Sequence, residues 1–154
     1  MNFLKQGMLA VVLTLGSFAA QAQTLGAVSL NDQFEQPIAF GSETKWVLLS
    51  SEKDAGKLVK ETLNTLELTD LAAQGGIYIA DVSAMPGLIT KLFAIPKMKD
   101  YAFKMAVVND EDMLKDWPKQ EDKVTAMQLD NLEVKSVEYF DSAEALQAWI
   151  KAQM

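Results

Sequence analysis

Ser50 and Lys53 stand three positions apart where an apolar run gives way to a polar one. S-x-x-K is the spacing of serine–lysine acyl enzymes, in which a desolvated lysine with a lowered pKa takes the serine proton. The S-D-N and K-T-G companions of that chemistry are absent. Ser51, Lys53, Asp54, Gly56 and Lys57 form a second candidate group. Free amides at a helix start hold anions, and two lysines beside them would help bind an anion or peptide. The competing reading is an ordinary helix start, with Asp54 capping those amides itself.

The rest of the inventory excludes more than it supplies. The 154 residues contain no cysteine and no histidine, and all 14 cations are lysine. Without cysteine there is no thiol–disulfide exchange, thiol peroxidase or thiolate–metal chemistry. Without histidine there is no Ser-His-Asp relay and no histidine-held zinc or haem. Without arginine there is no bidentate clamp for phosphate. A net charge of -7 disfavours nucleic acid and anionic membrane surfaces.

Asn109-Asp110-Glu111-Asp112 is acidic but lacks the glycine and distal glutamate of a calcium loop, and reads as a solvated turn. Met85, Met98, Met105, Met113, Met127 and Met154 are scattered, which suits core filling better than a Cu(I) site. Trp46, Trp117 and Trp149 read as core anchors, and Lys97, Lys99 and Tyr101 as a solvated basic-aromatic loop. No resident metal or cofactor is expected.

Residues 1–22 read as a signal peptide. Lys5 supplies the positive end, Met8 to Leu15 the apolar stretch, and Ala20-Gln21-Ala22 the small residues before cleavage. Cleavage is expected before Gln23, giving a periplasmic or secreted protein with no membrane anchor after processing. Residues 23–154 are expected to form one domain.

Residues 28–40 predict a strand, a turn and a second extended piece. Lys45 to Ser51 and Ile77 to Val82 predict buried strands because their apolar residues do not alternate with polar ones. Between them, Leu58, Val59, Thr62, Leu63 and Leu66 mark one face of a helix that Asp54 caps or opens. Gly75-Gly76 ends the helical stretch. Ser83 and Pro86 predict a second helix with Leu88, Ile89, Leu92 and Phe93 as its buried face, broken at Pro96. Phe103 to Val108, Lys123 to Leu129 and Leu132 to Phe140 predict strands, the last two joined by a turn at Asp130-Asn131. Asp141 and Glu144 predict the start of a final helix burying Leu146, Trp149 and Ile150. This order predicts an α/β fold with a mixed central sheet and helices on both faces.

From residue 28 onward the order resembles the thioredoxin-like superfamily. Ser29 to Pro37 is similar to the opening hairpin of periplasmic thioredoxin-like and peroxiredoxin-like proteins. Asp81 through Pro86 and Pro96 to Met98 resembles a family of small exported bacterial proteins of unknown role, some labelled FAD/FMN-containing dehydrogenase. The architecture also looks like that of exported YtfJ-type proteins. The resemblance implies a three-layer α/β/α sandwich, a C-x-x-C pair at the corner after Leu49, and a cis-proline. The corner has no sulfur, and Pro96 is the nearest proline candidate. No G-x-G-x-x-G or arginine supports a flavin.

Two classes of function stay open on these residues. One is a redox-inactive module binding a protein, peptide or small ligand outside the cytoplasm. The other is an enzyme with a Ser50/Lys53 or carboxylate site, or a flavin-associated redox protein.

Overall fold

The computed structural model describes residues 23–154; the signal-peptide reading of residues 1–22 lies outside them. β1 (Leu30–Asn31) and β2 (Pro37–Ile38) form a short antiparallel pair. Asp32 turns the chain between them. Its Oδ1 accepts the amides of Phe34 and Gln36 at 2.8 and 3.0 Å, as short acidic side chains do in turns.

β3 (Trp46–Ser50) and β4 (Gly76–Asp81) are buried at every residue and pair in parallel. α1 (Lys53–Thr65) connects them and buries Ala55, Val59, Thr62 and Leu63. A 3-10 turn, Ala72–Gln74, leads to Gly75, whose φ of 76° is the left-handed conformation glycine adopts without strain. Gly76 answers a different demand, because a Cβ there would overlap the ring of Trp46.

α2 occupies residues 87–98 in three pieces: Gly87–Ile89, a wider π turn at Thr90–Ala94, and Ile95–Met98. β5 (Ala106–Val108) pairs in parallel with β4. β6 (Val124–Asp130) and β7 (Glu133–Phe140) form an antiparallel hairpin, and β6 pairs antiparallel with β3. Asn131 and Leu132 make its two-residue turn, both at positive φ, as the twist of a tight hairpin requires. α3 (Ala143–Gln153) closes the fold. The sheet order is β5-β4-β3-β6-β7, the expected mixed α/β arrangement.

Alternate residues divide the core. Trp46, Leu48, Tyr78 and Ala80 pack with α1 and α3; Val47, Leu49, Ile77 and Ile79 pack on the other face. Trp149 meets Trp46 edge-on, with ring centroids 6.1 Å apart. The steps β3 to β4 and β4 to β5 run the same way across the sheet. Right-handed crossovers therefore place α1 and α2 on one face, and Met98 packs into the α1 side of the core. The opposite face is closed by Leu25, Leu30, Leu114 and Trp117, from turns and a short strand rather than a long helix.

Several local expectations are corrected. Asp54 does not cap α1: the cap position is Glu52, whose side chain makes no capping bond, and Asp54 lies in the first turn. Ser83 does not cap α2; its amide and hydroxyl both donate to Asp81 Oδ1. Pro96 does not break the helix, because it sits at the start of the last α piece, where no N–H is required. No peptide bond among the described residues is cis, Pro96 included. Ser142 rather than Asp141 caps α3, accepting the Ala145 amide at 3.5 Å. The strand expected from Phe103 is regular only over β5. Leu88, Ile89, Leu92 and Phe93 are exposed, at 67, 43, 54 and 64%; the helix turns Thr90 inward instead.

Candidate functional site

α1 and α2 rise from the same end of the parallel strands, β3 and β4, and leave a groove of about 730 Å³ between them. Ser50, Tyr78, Ala80 and Met105 form its floor; Ile89, Phe93 and Met98 form the α2 wall. Lys53, Lys57 and Lys60 stand on the α1 side and Lys97 on the other. Spacings of four and three residues put the three α1 lysines on one helix face. A smaller cavity of about 470 Å³ lies near Phe34, Ile38 and Phe103 and lacks this convergence of charge.

Ser51, Lys53, Gly56 and Lys57 line the groove, together with Ser50. Asp54, also a candidate, is exposed and does not. Gly56 matters by its missing side chain. A Cβ there would stand 3.5 Å from Tyr78 Oη and 3.6 Å from Ser50 Oγ, so glycine leaves the groove open down to that pair. Lys53 and Lys57 were read from the sequence; Lys60 was missed, although its helical spacing from Lys57 puts it on the same face. The meeting of Met85, Met98 and Met105 in the groove was not readable in the sequence, because they come from three separate loops and elements.

The Ser50 hydroxyl is committed to the Tyr78 hydroxyl at 2.7 Å. Lys53 is exposed and makes no hydrogen bond to Ser50. Burial pushes the Tyr78 phenol well above its ordinary value, with the Ser50 hydrogen bond opposing and Tyr101 adding to the rise. The pair is thus a neutral hydrogen-bonded unit across the pH range of a cell. Desolvation also raises Tyr101, whose ring lies 5.6 Å below Lys60 Nζ.

Two carboxylates reach the groove and both are engaged. Asp81 is buried; it accepts Ser83 N and Oγ at 3.0 and 2.6 Å and pairs with Lys119 at 3.4 Å. Glu52 accepts the Asp122 amide on both oxygens, at 2.8 and 2.9 Å. Glu52, Glu121 and Asp122 offer oxygens within 4.8 Å of one another. That amide holds the Glu52 carboxyl down, but the Asp122 side chain, partial desolvation and the negative charges of Asp122 and Glu121 outweigh it and leave its pKa raised. Lys57 has an exposed partner, Glu61, at 4.0 Å, a distance and setting that neutralise little. The groove therefore presents a positive rim over an apolar floor.

No family model matches the chain, and no curated protein matches it. Solved structures do. The peroxidoxin BcpB from Mycobacterium tuberculosis aligns with a TM-score of 0.56 at 13% identity, covering 86% of this chain and 94% of that one. A putative thiol:disulfide interchange protein DsbE from Chlorobium tepidum gives 0.55 at 15%, covering 86% and 96%. StoA from Bacillus subtilis gives 0.56 at 9%, covering 83% and 99%. Identities this low show the fold alone. The fold is thioredoxin-like, shared with thiol–disulfide oxidoreductases, here in a chain without cysteine.

Proposed function

We propose that this chain is an exported, non-catalytic binding protein, with the groove between α1 and α2 as its ligand site. One observation carries the reading: the corner after β3 holds Ser50-Ser51-Glu52-Lys53, no redox pair, and an open apolar groove under a lysine rim. Groove size and lining fit the general form of ligand sites, mostly apolar with a few placed polar groups. Methionine on such surfaces adapts to ligands of varied shape. A serine–lysine enzyme gains nothing from the geometry, since the Ser50 hydroxyl faces Tyr78. Export rests on the leader pattern of residues 1–22.

The groove is tested with N-phenyl-1-naphthylamine, a neutral apolar dye that brightens on leaving water. The expected result is saturable brightening with shifts of the Met85, Met98 and Met105 methyl resonances. An unchanged dye signal and unmoved methyls would remove the reading. For export, the intact mass of the protein recovered outside the cytoplasm is expected to begin at Gln23; recovery of the uncleaved chain in the cytoplasm would refute it.

A further inference from the structure

The groove does not stop at its own walls. Among the described residues, six large hydrophobic side chains are exposed, and four of them (Leu88, Ile89, Leu92 and Phe93) lie on α2. Ile89 and Phe93 face the groove; Leu88 and Leu92 continue the apolar surface outside it. A surface of this kind marks an interaction site in a water-soluble fold. It is wider than a single alkyl chain needs, and it points to a protein occupant.

Charge narrows the occupant further. The whole chain carries -7, yet Lys53, Lys57, Lys60 and Lys97 surround the groove. Lys91 and Lys99 add exposed cations on and beside α2. The four groove lysines face two lining carboxylates, Glu52 and Asp81, of which Asp81 is already paired with Lys119, and Glu61 meets Lys57 only at 4.0 Å in solvent. The cations therefore outnumber the carboxylates available to answer them. A second copy meeting α2 to α2 about a two-fold axis would bring Lys91, Lys97 and Lys99 of both copies to one seam, which repulsion disfavours.

Building on the groove reading above, we infer that the occupant is an acidic amphipathic segment of another protein. Its apolar residues fill the groove and cover Leu88 and Leu92. Its carboxylates meet Lys53, Lys57, Lys60 and Lys97. This is recognition of an amphipathic helix in a groove, with charge setting partner and orientation.

The test compares two synthetic 18-residue helical peptides with the same leucine face, one carrying glutamate and the other lysine on its polar face. Palmitate and the neutral naphthylamine dye are measured beside them. The glutamate peptide is expected to bind at least about tenfold tighter than the lysine peptide, shifting the Met85, Met98 and Met105 methyls. The double variant Lys53→Glu, Lys57→Glu, at exposed positions, is expected to erase that preference; a variant that still favours the glutamate peptide about tenfold would overturn the inference. Equal binding of the two peptides would overturn the acidic-partner inference and leave the groove reading intact. Palmitate displacing the dye where neither peptide does would replace the partner with a lipid. Concentration-dependent dimerisation that shifts the same methyls would replace it with a second copy. Silence from dye and peptides alike would remove inference and groove reading together.

Discussion

Gln33 and Met105 are 72 residues apart in the chain, and the Gln33 Oε1 accepts the Met105 amide at 3.0 Å. The same side chain donates its Nε2 to the carbonyls of Met98 and Phe103, at 3.1 and 2.8 Å. One buried side-chain amide thus serves three backbone groups, one at the end of α2 and two in the connection from α2 to β5, and the latter two have no partner in a regular element. That connection carries Met98, Tyr101 and Met105 into the groove. Gln33 is therefore a strut between the opening hairpin and the back of the site.

Gln33→Ala orphans the Phe103 carbonyl and the Met105 amide, while the Met98 carbonyl keeps the Tyr101 amide at 3.1 Å. Each buried unpaired group costs about 1–3 kcal/mol, partly recovered by water, so a total loss of about 3 kcal/mol is expected. Chemical denaturation measures it. Methyl resonances of Met98 and Met105 are expected to broaden even where the variant stays folded.

Gly76→Ala is expected to destabilise by about 3 kcal/mol, the upper range for overpacking. The new methyl meets Trp46, which is buried and anchored through its Nε1 donating to Gln74 O at 2.9 Å. The ring has little room to move. A melting temperature equal to the parent's would show that the sheet gives way at no cost there.

Gly56 separates stability from binding. Alanine there meets only ordinary contacts, and replacing glycine inside a helix gains about 1 kcal/mol. Gly56→Ala is expected to melt higher. Gly56→Leu is expected to fill the groove and reduce dye binding about tenfold or more, without unfolding the chain, since the added bulk enters open space. Thermal melts and dye titrations read the two effects.

The Tyr78 phenol has a raised pKa in the folded protein against an unfolded value of 10.0. A raised value means the folded state keeps a proton that the unfolded state releases. The contribution is fully present below pH 10 and is lost as pH rises beyond it towards the folded value. Denaturation midpoints are expected to fall above pH 10. Tyr78 is expected to give no phenolate absorbance until the protein unfolds. In Tyr78→Phe the alkaline fall is expected to shrink.

Glu52 shows the opposite side of the same linkage. Its carboxyl is raised above the ordinary 4.5, so its charged form is disfavoured in the folded state. Stability from this group is lower above the folded pKa and recovers as pH falls through it. Carboxyl carbon NMR is expected to show Glu52 titrating above 4.5, and Glu121→Gln is expected to lower that midpoint by removing one neighbouring charge. A midpoint unchanged in the variant would show that Glu121 is too far, or too screened, to matter.

β3, β4, α1 and the β6–β7 hairpin were legible in the sequence because each carries its own signal. Non-alternating apolar runs mark buried strands, and the 58, 59, 62, 63 period marks the inward face of α1. Asp130-Asn131 marks the turn, though the two turn residues are Asn131 and Leu132. Caps were less legible. Asp54 lies in the first turn of α1, whose start has no side-chain cap; Ser83 is bonded to Asp81; and Ser142, not Asp141, takes the capping bond of α3.

By itself, the sequence determined which chemistry is impossible, since a side chain that is absent cannot be supplied by folding. It also determined the mixed α/β order. Only the tertiary structure decided that Leu88, Ile89, Leu92 and Phe93 face solvent, because a helical period looks the same whichever side the sheet lies on. It alone brought Met85, Met98 and Met105 together beneath the lysines of α1. Such convergence depends on contacts between distant segments, set by crossover direction and by buried struts such as Gln33, and local spacing carries no record of them.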